Sequence, residues 1–260
     1  MQRSDRGRGS GALTVIGLGP GDAQLLSPQA LDALVRAETI VGYGTYIDLI
    51  DPDLLTGKEV IITGMKKEMD RVAAAVDRAQ DGSNVVVVSS GDAGIYGMAG
   101  LVLETLEARN LLEDIPLRIL PGIPALAAGA ALLGAPLTHD FAVISLSDLM
   151  TPWETIEQRV THAAAADFAI VLYNPKSRRR DWQLPRALEL IAEHRSPETP
   201  VGLVRKAFRP GQDVTSCALS EFDPASVDML SIVFIGNSNT RLSAGHMITP
   251  RGYLAKYGRP

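Results

Sequence analysis

The chain has 260 residues, enough for two domains of ordinary size and a sizeable core. Apolar residues make up 46% and charged residues 21%, which excludes an intrinsically disordered chain, and the net charge of −5 offers no global basic field to nucleic acid. A single cysteine, Cys217, rules out an intramolecular disulfide and points to a reducing compartment, and no apolar run reaches the roughly 18 residues of a membrane helix.

The expected location is therefore the cytoplasm. Residues 1–11 are polar, Arg-rich and Gly-rich, and are expected to form a disordered arm with no signal-type segment. Short β-branched runs then alternate with helical patterns. Leu13–Ile16 reads as a strand, and Ser27 as the N-cap of a helix with Pro28 in its first position and Leu31, Leu34 and Val35 on its apolar face. Thr39–Val41 is a second strand. Helical spacing over Glu68–Gln80 puts Met69, Val72, Ala73 and Val76 on one side. Val85–Val88 reads as a central parallel strand buried on both faces. A helix through Met98–Glu107, the strand Leu117–Leu120 and an Ala-rich helix to Leu133 close the first half.

The turn-rich stretch Gly134–Asp140 breaks the alternation, so the domains are expected at 12–137 and 138–245, with a tail at 246–260. The second half runs Phe141–Ser145 (strand), Glu154–Ala165 (helix), Phe168–Tyr173 (strand), Leu184–Glu193 (helix) and Val201–Arg205 (strand). Pro210–Asp213 then reads as a turn, followed by strands near Asp213–Ala218 and Ser231–Ile235, which implies antiparallel pairing. The expected fold is two α/β domains, the first with a mainly parallel sheet and the second with a mixed one.

Gly17-Leu18-Gly19-Pro20-Gly21-Asp22 follows a strand and precedes a helix, the context of a dinucleotide loop. Its details speak against a phosphate ligand. Asp22 stands where the fingerprint needs glycine, and Pro20 removes a backbone donor. Taken alone, this loop suits a tight βα turn without a ligand about as well as a functional role.

That loop, with Ser90-Gly91-Asp92-Ala93-Gly94-Ile95-Tyr96-Gly97, Pro121-Gly122-Ile123-Pro124-Ala125 and Tyr173-Asn174-Pro175, resembles the tetrapyrrole (corrin and porphyrin) methylase family. The four motifs stand in family order and span residues 13 to 240. Val41–Tyr46, Gly91–Gly97, Leu146–Trp153 and Tyr173–Arg178 are most similar to the branch that methylates carbon 17 of precorrin-3B and contracts the ring to precorrin-4, on the route to cobalamin. The resemblance implies that S-adenosylmethionine is bound in a cleft between the two domains and leaves as S-adenosylhomocysteine. It also implies a polycarboxylate tetrapyrrole substrate, no nucleic-acid or membrane partner, and a homodimer.

By the same resemblance Pro20, Asp92, Ile95, Pro124, Ala125, Asn174 and Ala207 stand at cofactor positions. Gly91 and Gly94 let backbone approach a ligand closely, and Tyr173 completes that set. Asp92 equally suits a turn cap. Lys176, Arg178 and Arg205 lead two cationic clusters at strand ends that suit acidic arms, a solvated basic loop being the plain alternative. Ring contraction would need a proton donor or acceptor, for which Tyr96, His139, Ser147 and Asp148 are the candidates. His139 also fits a structural role, and Ser147-Asp148 a helix cap. His139, His162, His194 and His246 are far apart in sequence, so no metal site is expected. Competing readings are a methylase for another corrin carbon or for the cobalt-loaded macrocycle, an NADP-dependent reductase, and an RNA-modifying relative.

Overall fold

A computed structural model describes residues 11–177 and 180–258. The chain divides into two compact units, Met1–Ala125 and Leu126–Pro260.

The first unit runs β1 (Leu13–Gly17), α1 (Pro28–Arg36), β2 (Thr39–Tyr43), α2 (Gly44–Ile47), β3 (Glu59–Thr63), α3 (Glu68–Gln80), β4 (Val85–Ser89), α4 (Ala99–Ala108) and β5 (Leu117–Leu120). Its strands form one wholly parallel sheet in the order β3-β2-β4-β1-β5. Period-two alternation sorts the core. Val85 and Val87 pack with Val72, Val76 and Val102 on one face, while Val86 and Val88 pack with Leu34 and Ile40 on the other. Strand β3 has no counterpart in the sequence reading, because it is an edge strand whose residues all remain partly exposed. Ser27 does cap α1, accepting from the Ala30 N–H at 3.2 Å. The buried face of α1 is Ala30 and Leu34, however, and Leu31 and Val35 stay exposed.

The second unit contains α5 (Ala125–Leu133, but for its first residue), β6 (Gly134–Ala135), β7 (Phe141–Ser145), α6 (Trp153–Ala165), β8 (Ala169–Tyr173), α7 (Gln183–Ala192), β9 (Pro200–Arg205), β10 (Asp213–Ala218), β11 (Ser231–Ile235), β12 (Arg241–Ser243), β13 (His246–Ile248) and α8 (Tyr253–Tyr257). The main sheet is mixed, in the order β10-β9-β11-β8-β7: β7 and β8 are parallel, and the other pairs antiparallel. The Pro210–Asp213 turn joins β9 to β10 as a hairpin, whereas β11 inserts between β9 and β8 rather than pairing with β10. Helices α6 and α7 cover one face through Ile156, Val160, Leu184 and Ile191. On the other, a Cβ at Gly129 of α5 would lie 2.7 Å from the Phe234 ring.

The Ala-rich helix expected in the first half thus belongs to the second unit, and the division falls before it rather than at 137. Residues 246–248 are not tail: β13 pairs with β12 and with β6, and Met247 is 0% exposed. The arm expected at 1–11 lies outside the described residues except for Gly11, which is buried and donates to the Ala79 carbonyl at 2.9 Å. No helix among the described residues is long and apolar enough to cross a membrane.

Candidate active site

In the first unit the chain leaves the adjacent strands β1 and β4 in opposite directions, toward β2 and β5. Ligands bind outside the carboxyl ends of parallel strands at such a point. The two exit loops must also pass one another. They do so as backbone against backbone: Gly19 and Gly91 exchange hydrogen bonds at 3.0 and 2.9 Å, and Leu18 N–H donates to Ser89 O at 2.8 Å. The loop after β5 closes the knot. A Cβ at Gly17 would lie 2.4 Å from Gly91 O, and one at Gly122 only 2.2 Å from the same oxygen. Three loops far apart in sequence therefore meet only because each carries glycine at the crossing.

Asp92 ties this knot. Its Oδ1 accepts from Gly94 N–H at 2.8 Å, an Asx turn, and its Oδ2 accepts from Gly122 N–H at 3.0 Å, so it bridges the loops after β4 and β5. Asp22 accepts from Gln24 N–H and caps the short turn after Gly21. Pro20 is buried, Pro124 and Ala125 half-buried, and Gly94 and Ile95 exposed. Tyr96, also exposed, holds a left-handed φ of 52°. The knot offers backbone and carboxylate but no Lys or Arg, a chemistry suited to a cationic or zwitterionic ligand and unsuited to a phosphate.

In the second unit β7, β8 and β9 point the same way, so Ser145, Tyr173 and Arg205 all end at one edge, where β11 begins. Asn174, in a left-handed conformation (φ 50°), donates from Nδ2 to Ser145 Oγ at 2.9 Å, and Ser147 N–H donates to the same oxygen at 3.2 Å. The Tyr173 hydroxyl accepts from Leu126 N–H at 2.9 Å, in the first turn of α5. Asp148 Oδ2 accepts from the Gln183 amide at 2.9 Å, and Gln183 is 2% exposed. Neither Ser147 nor Asp148 caps α6, whose N-cap Pro152 has no side-chain bond. Gln183 Oε1 and Arg180 Nη1 are buried without hydrogen-bond partners. Burial presses the Arg180 guanidinium below its ordinary pKa against the pull of Asp148. An orphan donor and an orphan acceptor beside one carboxylate are groups that a ligand or water satisfies.

Within the second unit His139 is not brought together with Ser147 and Asp148. His139 precedes β7, at the opposite end of that strand from Ser147 and Asp148, and its Nδ1 accepts from Asp140 N–H at 2.9 Å. Tyr96 belongs to the first unit. Among the cationic candidates, Lys176 Nζ donates to Ala225 O at 3.3 Å, and Arg178 lies outside the described residues. Arg205 is paired with Asp228 at 3.4 Å. Ala207 sits between Lys206 and Phe208, both at positive φ, in the loop after β9. Ser145 and Gln183 were missed because a serine ending a strand and a glutamine opening a helix carry no pattern of their own. Two shallow depressions, one around Cys217 and Glu221 and one around Thr138 and Tyr253, touch none of these groups.

Burial alone would push the Asp228 carboxyl up. The Ser231 hydroxyl, the Leu230 N–H and the Arg205 guanidinium outweigh it and hold Asp228 below its ordinary value. Stabilisation from a depressed carboxylate is present above its unfolded pKa of about 3.9 and is lost as pH falls through the folded value. The urea-stability difference between wild type and Asp228→Asn is therefore expected to hold from pH 7 to about 4.5 and to shrink below about pH 4. A gap that widens on acidification would refute the pairing. The effect is modest, since both side chains are some 40% exposed.

Comparison with known proteins accords with this geometry. Residues 12–223 match the profile of the tetrapyrrole (corrin/porphyrin) methylases. A probable cobalt-factor III C(17)-methyltransferase of Salmonella typhimurium is 50% identical over 93% of this chain and 99% of its own length. A cobalt-factor III methyltransferase of Priestia megaterium is 46% identical over 95% of this chain but only 46% of that longer protein. The crystal structure of the methyltransferase CobJ superposes with a TM-score of 0.88 at 41% identity, covering 93% of this chain and 100% of that one. With the matching profile, near end-to-end identity and shared fold, the chain belongs to the tetrapyrrole (corrin/porphyrin) methylase family.

Proposed function

We propose that the chain transfers a methyl group from S-adenosylmethionine to carbon 17 of a polycarboxylate corrin precursor in cobalamin biosynthesis, with ring contraction from the precorrin-3 to the precorrin-4 level. The observation that carries this reading is 50% identity along virtually the whole length of a relative named for C(17) methylation. The sequence motifs carry a resemblance to the branch that takes precorrin-3B. A second reading, the cobalt-loaded macrocycle, is favoured by the names of the two relatives at 50% and 46% identity.

The cofactor supplies an activated sulfonium methyl, so the protein's task is chiefly positioning. Residues of the glycine knot fit it: Gly91 and Gly122 admit close backbone approach, and Asp92 fixes the two loops that would hold it. At the carboxyl edge of the second unit, Asn174 and Ser145 lock the ends of β8 and β7 together, and Arg180, Gln183 and Asp148 present polar groups for the substrate. Asp148 and Ser147 are the acid–base candidates that this edge retains.

Incubation with labelled S-adenosylmethionine and either precorrin-3B or cobalt-factor III tests the reading. Label is expected in the product with one of them, at carbon 17 by NMR, and in a contracted ring. Transfer without contraction removes only the contraction step; no transfer to either removes the proposal. The partition between the two macrocycles decides which reading holds.

A further inference from the structure

We propose that Arg71 binds one carboxylate arm of the macrocycle, an inference that rests on the functional reading above. Arg71 lies in the first turn of α3 and is 3% exposed, whereas Met69, two positions earlier, is 63% exposed. Burial by hydrophobicity alone would have chosen the reverse.

The guanidinium carries five N–H donors in a planar fork. All of its partners are neutral. Nε donates to Thr63 Oγ1 at 2.8 Å, Nη2 to Gly64 O at 3.2 Å and Nη1 to the Met98 thioether at 3.5 Å, and the Tyr43 ring centroid lies 5.9 Å from Cζ. Among the described residues no carboxylate lies within ion-pair distance of it. Arg195 is the instructive contrast: also buried, it has Asp167 at 3.4 Å and donates to four backbone carbonyls.

A buried cation without a counter-ion at contact distance is an electrostatic cost to the fold, while the first-turn carboxylates Glu68 and Asp70 already offset the positive end of the α3 dipole. An arriving anion relieves that cost. The location suits one: Tyr43 ends β2 and Thr63 ends β3, at the same carboxyl edge of the parallel sheet as the glycine knot. The thioether on Nη1 is a weak acceptor on a flexible side chain, so it is the contact that a carboxylate displaces to reach the guanidinium fork.

The test is steady-state methyl transfer by the full chain carrying Arg71→Met or Arg71→Lys, with S-adenosylmethionine affinity measured by calorimetry. For Arg71→Met the KM for the macrocycle is expected to rise at least about tenfold while kcat falls less than about threefold, with a smaller rise for Arg71→Lys. Cofactor affinity should stay within about twofold, and the thermal midpoint should be unchanged or higher, because an uncompensated charge has been removed. An unchanged KM overturns the inference. So does a fall in cofactor affinity alone, which would assign Arg71 to the cofactor's own carboxylate. If Arg71→Met does not fold, an unaltered KM in Arg71→Lys marks a structural residue, and a raised one supports the proposal. A wild-type protein that turns over neither macrocycle overturns the functional reading and this inference together; turnover with an unchanged Arg71→Met KM overturns this inference alone.

Discussion

Gly122→Ala is expected to abolish cofactor binding and to destabilise the first unit by about 3 kcal/mol or more, beyond the usual range for an added core methyl. The new Cβ would stand 2.2 Å from Gly91 O and 2.7 Å from Gly17 C and O, all backbone atoms that no rotamer change can clear. Relief requires the loops after β1, β4 and β5 to part, and parting them breaks the hydrogen bond from Gly122 N–H to Asp92 and the Gly19–Gly91 exchange. Gly100→Ala, in α4, is the internal control. No atom lies within 4 Å of its new Cβ, and alanine is the better helix former by about 1 kcal/mol. Urea unfolding and calorimetric titration with S-adenosylmethionine read both variants. A Gly122→Ala protein that binds the cofactor normally would show that the knot is not the cofactor's seat.

Arg195→Met is expected to cost about 3 kcal/mol or more, because backbone carbonyls lose a charged donor at about 1–3 kcal/mol for each one left buried and unsatisfied. Arg195 anchors the end of the second sheet away from the candidate site. It donates to Ala164 O at 2.5 Å, Phe168 O at 2.8 Å, Gly236 O at 3.2 Å and His194 O at 3.2 Å, collecting the exits of α6, α7 and β11. Its loss strands those carbonyls and leaves Asp167 to the Ser238 side chain and N–H alone. The same substitution at Arg71, the other buried arginine among the described residues, is expected to leave stability intact. Denaturant curves of the two variants side by side separate the roles, and equal losses would mean that Arg71 too is structural.

Most strands and helices were legible because their signals are local. Val85–Val88, bounded by turns, could only be a central strand, and Ser27-Pro28 carries a helix start in two residues. The glycine loops were legible as motifs, and Pro20 with Asp22 argued against phosphate before any fold was known. What those glycines do was not legible. Gly17 and Gly122 are over a hundred residues apart, and only the crossing of their loops explains why neither can carry a side chain, whereas Gly91 is held to glycine by its φ of 64°.

The acid–base candidates illustrate the other limit. His139 and Ser147 are close in sequence, but a five-residue extended strand stands between them and sends them to opposite ends of the sheet. Arg205 was read as the head of a cationic cluster because its partner Asp228 follows 23 residues later, just before β11. Arg71 did leave a trace: it stands in the i, i+4 row with the buried Ala75 and Ala79, where a charge is out of place.

By itself, then, the sequence determined the class of fold and the two sheet types, because periodicity, caps and turn residues act over a few positions, and its glycine motifs carried the resemblance to the family. The tertiary structure alone decided that the apolar-throughout helix Ala125–Leu133 serves the second unit, where Gly129 meets Phe234. It also decided that Met247 fills the space beside Gly202, making a strand of the expected tail. A helix apolar on every side, or a three-residue strand, has no face to declare. Its place is set by the cavity it fills, and that cavity exists only once distant segments have met.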